Sequence, residues 1–261
     1  MGRFHRHDDG SVHSHEHDEH DHDHDHHEHD HGDHSGYQTG SQRIDVLESI
    51  FAENDVRAQI NRNAFESNGI RTLNLMSSPG SGKTTLLAAS LDELNGTIAV
   101  GVIEGDIATD LDAAKLGGRG AQVSLLNTSN GFGGECHLDA PMVNRALQGL
   151  DLAQLDLVII ENVGNLVCPA EFDVGEHAKA MVYSLTEGED KPLKYPVMFR
   201  SVDVVLLNKI DLAPYLDADI DTYIAHVREV NPTATILPVS ARTGAGMAQW
   251  FDWLRRFTAE G

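Results

Sequence analysis

The sequence predicts an α/β domain built on a doubly wound, mostly parallel sheet. Short, nearly continuous apolar runs alternate with helical stretches along most of the chain. Such runs are typical of strands buried on both faces, and intervening helices allow neighbouring strands to run parallel. A loop of small residues also joins the first run to a helix, as in phosphate-binding domains. We therefore expect one domain over residues 70–258.

The elements follow from the spacing of apolar residues. The predicted strands are Thr72–Met76, Ile98–Ile103, Gln122–Leu126, Leu157–Ile160, Met181–Leu185, Val202–Leu207 and Thr235–Val239. The predicted helices include Thr84–Leu94, Ala140–Leu150, Ile220–Val230 and Met247–Phe257. Before this domain, apolar residues recur mostly at helical intervals between 42 and 69, which predicts an amphipathic helix or a helix pair ended by Gly69.

The first 41 residues have a different composition. Thirteen of the 16 histidines lie between His5 and His34, interleaved with eleven Asp or Glu residues. This segment has too little apolar surface to offset the entropy of ordering, so we expect it to be disordered without metal. The predicted organisation is a tail at 1–41, a helical segment at 42–69 and the α/β domain at 70–258.

Charge and cysteine content exclude several classes of protein. The 261 residues include 41 acidic and 19 basic side chains, a formal charge of −22 that disfavours a nucleic-acid partner. Two cysteines exclude the disulfide framework of a secreted mini-protein. No apolar run approaches the ~18 residues of a membrane span, and no signal-peptide hydrophobic region precedes residue 41. We expect a cytoplasmic protein with no membrane partner.

The segment from Ser77 to Thr85 has the composition of a phosphate-binding loop. Its glycines allow backbone N–H groups to close around a β-phosphate, Lys83 can reach the β- and γ-oxygens, and the Thr84 hydroxyl can ligate Mg²⁺. The strict motif has glycine where this chain has Ser77, and a glycine-rich turn that only caps a helix is the alternative. The predicted phosphate-binding residues are Gly80, Ser81, Gly82, Lys83, Thr84 and Thr85.

Two later loops predict that the nucleotide base is guanine. Asn208, Lys209 and Asp211 follow the apolar run Val202–Leu207. A carboxylate at Asp211 can accept hydrogen bonds from N1–H and the exocyclic amine of guanine, whereas adenine does not offer this pair of donors. The stem of Lys209 can lie along the base, and Asn208 can tether the loop. The residues expected to back the base are Ser240, Ala241 and Arg242.

Two acidic loops complete the predicted GTPase site. Glu161 can hold Mg²⁺ directly or through water, and Gly164 can donate its N–H to the γ-phosphate. Asp106 lies in an acidic loop after the second strand, where it can reach Mg²⁺ or the attacking water; a solvated loop is the alternative. The predicted cofactors are GTP or GDP with Mg²⁺, and the predicted catalytic residues are Lys83, Asp106, Glu161 and Gly164.

Cys136, His137 and Cys168 form a candidate metal site. Thiolate and imidazole ligands suit Zn²⁺, Ni²⁺ or Cu⁺ rather than Mg²⁺. Three ligands do not close a structural tetrahedron, so water, another side chain or a second copy of the protein must complete it. Cys168 lies four residues beyond Gly164, where it can sense the γ-phosphate. Two inert cysteines and a surface histidine are the alternative interpretation.

With these motifs the chain resembles the HypB family, P-loop GTPases of the SIMIBI-like class that help insert nickel into nickel–iron hydrogenase. The resemblance covers roughly residues 70–258, and its motifs lie at 77–84, 104–110, 135–140, 160–170 and 208–211. It implies that Cys136, His137 and Cys168 bind Ni²⁺ or Zn²⁺ at the interface of a homodimer that forms when GTP binds. It also implies slow GTP hydrolysis and contact with a second nickel chaperone and the hydrogenase large subunit.

Many members of that family begin with a Cys-x-x-Cys-Gly-Cys motif, whereas no cysteine precedes Cys136 here. The histidine-rich tail is the expected substitute. Many neutral imidazoles predict a high capacity for nickel at moderate affinity, with release as pH falls below the histidine pKa of about 6.5. The predicted storage ligands are His13, His15, His17, His20, His22, His24, His26, His27, His29 and His31. A solubilising tail or a cloning tag is the alternative.

Two other functions are compatible with the sequence. One is a nickel storage or detoxification protein with an accessory GTPase domain. The other is a urease-accessory-type GTPase, although that family has a Cys-x-His metal motif and Cys136 and His137 are adjacent.

Overall fold

The computed structural model describes residues 5–6, 12–13, 39–105, 116, 118–126, 137–165 and 172–261, with the backbone alone at 5–6, 12–13 and 39–50. The chain divides into two compact units, Met1–Arg43 and Ile44–Gly261. In the first unit, strands β1 (His5–Arg6) and β2 (Val12–His13) pair antiparallel, with His5 opposite His13. The second unit contains the α/β sheet.

In the described part of the second unit, seven strands form one sheet in which all neighbours are parallel. They are β3 (Arg71–Ser77), β4 (Val100–Glu104), β5 (Gln122–Leu125), β6 (Leu157–Glu161), β7 (Ala178–Ser184), β8 (Val204–Asn208) and β9 (Thr235–Pro238). The spatial order β5-β4-β6-β3-β7-β8-β9 places β3 at the centre. Each strand overlaps one predicted apolar run, and the predicted fold class is confirmed.

Helices connect most of these strands. They are α1 (Thr39–Ser67), α2 (Lys83–Leu94), α3 (Ala140–Leu147), α4 (Lys191–Lys194), α5 (Pro196–Arg200), α6 (Ala213–Leu216), α7 (Ile220–Val230) and α8 (Met247–Ala259). Short 3₁₀ helices lie at Leu152–Gln154, Leu185–Glu187 and Ile210–Leu212. None of the helices within the described ranges is both long and apolar enough to cross a membrane.

The helices cover both faces of the sheet because successive residues of a strand point to opposite sides. On β6, Leu157 and Ile159 pack in one cluster with α2 and α8, whereas Val158 and Ile160 pack in another with α1 and α3. The second face of β7 and β8 is buried against α5 and α7. Because these strands are buried on both faces, their sequences are nearly continuous apolar runs.

Helix α1 is one continuous helix whose buried stripe is partly polar. The described residues that it buries are Asn54, Ala58, Asn61 and Phe65. Of the apolar residues whose spacing predicted this helix, Phe65 is buried, whereas Phe51, Val56 and Ile60 are 37%, 62% and 43% exposed. The helix is oriented by hydrogen bonds between its two buried asparagines, Asn54 and Asn61, and backbone groups of neighbouring segments.

The parallel topology concentrates the predicted motifs at one edge of the sheet. The carboxyl ends of parallel strands lie along the same edge, where loops can meet. The loops that leave β3, β6 and β8 there begin at Ser78, Asn162 and Lys209. Ser78 and Lys209 are more than 100 residues apart in sequence. The fold therefore places the predicted phosphate loop, the loop that contains Gly164 and the predicted base loop at one edge of the sheet.

His177 lies at the opposite edge, just before β7. Its Nδ1 accepts a hydrogen bond from the Thr72 N–H at 3.0 Å, which requires that nitrogen to be unprotonated. Burial, and next the charge of Arg71, hold the pKa of His177 below its ordinary value of 6.5. Glu66, 4.0 Å from Nε2, acts in the opposite direction. The fold therefore holds this imidazole neutral where the unfolded chain would protonate it.

We expect the free energy of unfolding to decrease as pH falls below about 6.5, because the unfolded chain binds a proton that folded His177 resists. The sign follows from a lowered folded pKa: the contribution is complete above about 6.5 and is lost towards acid, with a slope of at most about 1.4 kcal/mol per pH unit. His177→Asn, which keeps an acceptor, should flatten this slope in urea unfolding between pH 5.5 and 8. His226→Asn on α7 is the control, and an unchanged slope for His177→Asn contradicts the prediction.

Candidate nucleotide and metal sites

The phosphate loop leaves β3 and leads into α2. Gly80 and Gly82 have φ values of 73° and 100°, a region in which glycine is unstrained. A Cβ on Gly82 would also lie 2.5 Å from Nδ2 of Asn208, so position 82 requires glycine for two reasons. Residues 77–85 and Gly164 line a cavity of about 240 Å³. Loop N–H groups at the start of a helix are suited to hold phosphate oxygens in such a cavity.

Gly164 brings the loop after β6 against the phosphate loop. A Cβ at this position would lie 3.3 Å from both the backbone nitrogen and the Cα of Pro79, which is tighter than ordinary contact. A side chain there would push the two loops apart. The placement of Gly164 at the cavity is compatible with the predicted N–H contact to a γ-phosphate.

Lys83 and Glu161 form a buried ion pair beside this cavity. Nζ of Lys83 lies 2.9 Å from Oε1 of Glu161, and the Thr84 hydroxyl donates to the same oxygen at 3.0 Å. Lys83 is 5% exposed and Glu161 is 0% exposed. Within the described residues, Oε2 of Glu161 is buried and has no hydrogen-bond partner. A buried carboxylate oxygen next to a hydroxyl fits Mg²⁺, which prefers oxygen ligands.

Glu104 adds a second carboxylate at the same edge. It is the last residue of β4, pairs in register with Glu161 and is 1% exposed. Paired positions on neighbouring strands lie about 4.8 Å apart. Asp106, the residue predicted to reach Mg²⁺ from the following loop, lies outside the described residues and its role stays a prediction. Glu104 and Glu161 therefore end neighbouring strands side by side, and Glu161 contacts the Thr84 hydroxyl.

The residues predicted to recognise guanine line a second cavity of about 330 Å³. Its lining residues are Gly82, Thr85, Asn208, Lys209, Asp211, Leu212, Ser240, Ala241 and Arg242. Nδ2 of Asn208 donates to the Ser81 carbonyl at 2.8 Å, and its Oδ1 accepts the Ala241 N–H at 3.0 Å. Asn208 therefore ties the phosphate loop to the loop after β9, and the two cavities share Gly82 and Thr85.

Asp211 and Lys209 have local partners in this cavity. The Ser240 hydroxyl donates to Oδ1 of Asp211 at 2.7 Å, which orients the carboxylate. Nζ of Lys209 donates to the Gly80 carbonyl at 2.7 Å, so its stem crosses from the base loop to the phosphate loop. Lys209 also has a positive φ of 64°, an uncommon conformation for a residue other than glycine. The geometry is compatible with the roles predicted for both side chains.

Only part of the predicted transition-metal site lies among the described residues. The His137 ring packs on Phe172 with 4.2 Å between centroids, and Phe172 stacks on Phe51 of α1 at 5.0 Å. Cys136 and Cys168 fall outside the described ranges, as do the side chains of the ten tail histidines. Across the described residues, no three His, Cys, Asp or Glu side chains are grouped so that they could hold a metal ion. The metal ligands stay a prediction.

A buried polar network joins the loop after β6 to the segment before α3. Oδ1 of Asn162 accepts the Leu138 N–H at 3.0 Å and the Val163 N–H at 2.9 Å. Its Nδ2 donates to Asn74 at 3.3 Å, and Asn74 donates to Oε1 of Glu176 at 3.3 Å. No role was predicted for Asn162 or Asn74. The sequence did contain one indication of this network: Asn74 interrupts the apolar run of β3, and a buried polar side chain requires hydrogen-bond partners.

Lys191 brings a second ammonium group to the phosphate loop. Its Nζ donates to the Ser78 hydroxyl at 2.7 Å and also to the carboxylate of Glu187. Lys191 begins α4, in the connection that leaves β7. No sequence pattern singled it out, because the contact depends on how this connection folds back over the loop after β3.

Comparisons with known proteins agree with this geometry. The family model described as CobW/HypB/UreG, nucleotide-binding domain, matches residues 71–238. The hydrogenase maturation factor HypB of Azotobacter chroococcum is 49% identical over 216 residues, which cover 83% of this chain and 70% of that protein. The hydrogenase maturation factor HypB of Escherichia coli K12 is 47% identical over 223 residues, which cover 85% of this chain and 76% of that protein.

Solved structures show the same likeness. The hydrogenase maturation factor HypB from Archaeoglobus fulgidus has a TM-score of 0.73 and 36% identity, covering 79% of this chain and 99% of its own. HypB from Helicobacter pylori, solved in complex with nickel, has a TM-score of 0.73 and 33% identity, and the match covers 80% of this chain and 96% of that one. A LAO/AO transport system kinase, at 17% identity and a TM-score of 0.50, shares the fold.

Asp211→Asn is expected to exchange guanine for xanthine specificity. An amide cannot accept both hydrogen bonds from guanine, but its NH₂ can donate to the C2 carbonyl of xanthine. One hydrogen bond to a charged group is lost, at about 1.5–3 kcal/mol, and the amide NH₂ then faces the guanine amine, so GDP binding should weaken by about 10-fold or more. Calorimetric titration with GDP and xanthosine diphosphate measures both effects. Asp217→Asn, an exposed position after α6, is the matched control, and unchanged GDP affinity in Asp211→Asn refutes the assignment.

Proposed function

Because the chain belongs to the HypB family of hydrogenase maturation factors, we propose that it is a GTP-hydrolysing nickel metallochaperone for the maturation of nickel–iron hydrogenase. The observation that carries the GTPase activity is the contact of Lys83 and Thr84 with Glu161 beside a phosphate-sized cavity. The neighbouring cavity with Asp211 supports guanine as the base. Nickel is supported by the family and by the relative from Helicobacter pylori solved with that metal.

GTP binding exchanges the partners of Lys83. The ammonium group leaves Glu161 for the β- and γ-phosphate oxygens, while the N–H groups of the loop surround the β-phosphate. Mg²⁺ held by Thr84 and Glu161, with Asp106 as the proposed further ligand, would neutralise charge on the β- and γ-oxygens. Gly164 donates its N–H to the γ-phosphate. This contact draws the loop after β6 towards the nucleotide.

Hydrolysis converts GTP and water into GDP and phosphate. Asp106 orients the attacking water, and Lys83 stabilises the negative charge that develops on the γ-phosphate. Lys83 and Mg²⁺ would supply part of the charge neutralisation at the γ-phosphate, and we expect slow turnover unless dimerisation or a partner completes the site. Loss of the γ-phosphate releases Gly164 and allows Lys83 to return to Glu161.

Nickel is the cargo of this cycle. Cys136, His137 and Cys168 are the proposed ligands, and Zn²⁺ is the other metal that suits them. Three ligands leave the site open, and a second copy of the chain completes it in the GTP-bound homodimer. After hydrolysis the dimer separates and the site loosens. The tail at 1–41 stores further nickel through its imidazoles.

The partners are a second nickel chaperone, which exchanges the metal, and the hydrogenase large subunit, which receives it. Thiolate ligands need reduced cysteines, which supports a cytoplasmic location. The proposed domains are the tail at 1–41, the helical segment at 42–69 and the GTPase domain at 70–258.

Dimerisation should depend on the γ-phosphate. In size-exclusion chromatography at matched protein and nickel, the full-length chain should elute as a dimer with a nonhydrolysable GTP analogue and as a smaller species with GDP. Lys83→Ala removes the phosphate-binding ammonium group and should elute as the smaller species with both nucleotides. Identical elution of the wild type with GDP and with the analogue contradicts the proposed dimerisation step.

A storage or detoxification protein is the second candidate, and the thirteen histidines between His5 and His34 favour it. The two functions differ in their dependence on GTP. For a chaperone, Lys83→Ala should abolish hydrogenase maturation even at ample nickel, whereas deletion of residues 1–41 should have little effect there. The measurement is hydrogenase activity in cells that carry each variant. The reverse pattern would establish the storage function instead.

A further inference from the structure

Asn162 lies between the nucleotide-dependent loop and a predicted metal ligand. It directly follows Glu161, whose carboxylate contacts Lys83 and Thr84. It is not among the residues that line the phosphate cavity. Its side chain instead accepts the N–H of Leu138, 24 residues earlier and immediately after His137. One fully buried side chain therefore connects the two segments on which the proposed GTPase and metal functions depend.

Hydrogen bonds to both the oxygen and the nitrogen of its amide fix the orientation of the Asn162 side chain. Its oxygen accepts two backbone N–H groups, those of Leu138 and Val163, and its nitrogen donates to Asn74. Asn74 is held in turn by Glu176, whose other oxygen accepts the Val174 N–H at 2.7 Å. Because a rotated amide would lose all of these partners in a buried site, the side chain must move together with its backbone.

Helix α1 anchors the other end of the short segment that contains Leu138. The Ala140 N–H donates to Asn54 at 2.9 Å, and Nδ2 of Asn61 donates to the Ala140 carbonyl at 2.9 Å. Asn61 also donates to the Val174 carbonyl at 3.1 Å. Ala140 is therefore held from both sides of its backbone. These bonds resist displacement of Ala140, so a shift of Leu138 is absorbed more easily on the side of His137.

Building on the proposed function, we propose that Asn162 is the positioning residue that couples the γ-phosphate to the metal site. When Glu161 and Gly164 move towards GTP, the Asn162 side chain moves with them and shifts the Leu138 N–H. The shift changes the position of His137 relative to the anchored Ala140. Asn162 touches neither nucleotide nor metal in this scheme, and it acts only through the backbone of Leu138.

The test measures nickel affinity at the thiolate site of the full-length chain. Ni²⁺ bound to thiolate gives a ligand-to-metal charge-transfer absorption that imidazole and carboxylate ligands do not give. Cys136 and Cys168 are the only cysteines, so this band reports their site even when the tail is loaded. Ni²⁺ is titrated in the presence of GDP and of a nonhydrolysable GTP analogue. The ratio of the two apparent affinities is the coupling between the sites.

Asn162→Ala removes the acceptor for the Leu138 N–H. We expect the wild-type affinity ratio to be about 5- to 150-fold, the usual range for coupled sites, and the variant ratio to fall to within about 2-fold of one. GDP affinity should change by less than about 3-fold in the variant, because Asn162 contacts none of the base-recognition residues. Asn162→Asp retains an acceptor oxygen for both N–H groups and should restore most of the ratio.

Two further variants separate coupling from stability. Asn231→Ala removes another buried asparagine that makes several backbone hydrogen bonds, but on the β8–β9 side of the sheet. Asn231→Ala should lower the free energy of unfolding and keep the wild-type ratio of the two nickel affinities. If Asn162→Ala does not fold, Asn162→Ser takes its place, because the serine oxygen sits where Cγ was and is one bond short of the Leu138 N–H.

The outcomes distinguish this inference from the proposed function. Loss of the ratio in Asn162→Ala or Asn162→Ser, with recovery in Asn162→Asp and retention in Asn231→Ala, supports the assignment. A wild-type ratio that persists in the alanine or serine variant overturns the role of Asn162 and leaves the proposed function intact. A wild-type ratio of one shows that nucleotide does not regulate the metal site, and it overturns both.

Discussion

The buried ion pair between Lys83 and Glu161 is the constraint on which the site depends. Moving both charges out of water is costly, and a buried pair is by itself weak evidence of a stabilising role. Here the pair joins the phosphate loop to the loop after β6, and the direct pairing of β3 with β6 brings these loops together. Both charges have a use outside the pair, since phosphate can replace Glu161 and a cation can replace Lys83. We therefore attribute the free-energy cost of burying these two charges to the function of the site and not to the stability of the fold.

The same constraint accounts for the asparagines in the interior. The proposed movement of the loop after β6 with the nucleotide needs a connection to other segments that is specific in geometry, and apolar packing is not directional. Asn162 and Asn74 supply directional hydrogen bonds through the middle of the sheet. Asn54 and Asn61 supply them along α1, where Val56 and Ile60 remain exposed. Within the second unit, polar residues thus determine how α1 lies against its neighbouring segments, which apolar periodicity did not predict.

Local chemistry explains why the fold class could be predicted, and why the residues predicted for the nucleotide site include those that line the two neighbouring cavities. A strand buried on both faces is apolar at every position, as in Val204–Asn208 up to its final residue. A phosphate loop needs glycine at positions such as Gly82, and base recognition needs a carboxylate such as Asp211; each requirement is met within a few residues. The roles of Asp106, Cys136 and Cys168 stay predictions, since all three lie outside the described ranges.

By itself, the sequence determined the α/β alternation, the approximate positions of the strands and the family, whereas the roles of the individual loop residues stay predictions. Only the tertiary structure decided that β3 lies between β6 and β7, that Glu104 pairs in register with Glu161, and that Lys191 reaches Ser78. It also selected Leu138 as the partner of Asn162. The physical reason is that periodicity and motifs record the environment of nearby residues. Contacts between distant segments depend instead on strand order, register and loop closure, which many sequences of the same local pattern could satisfy differently.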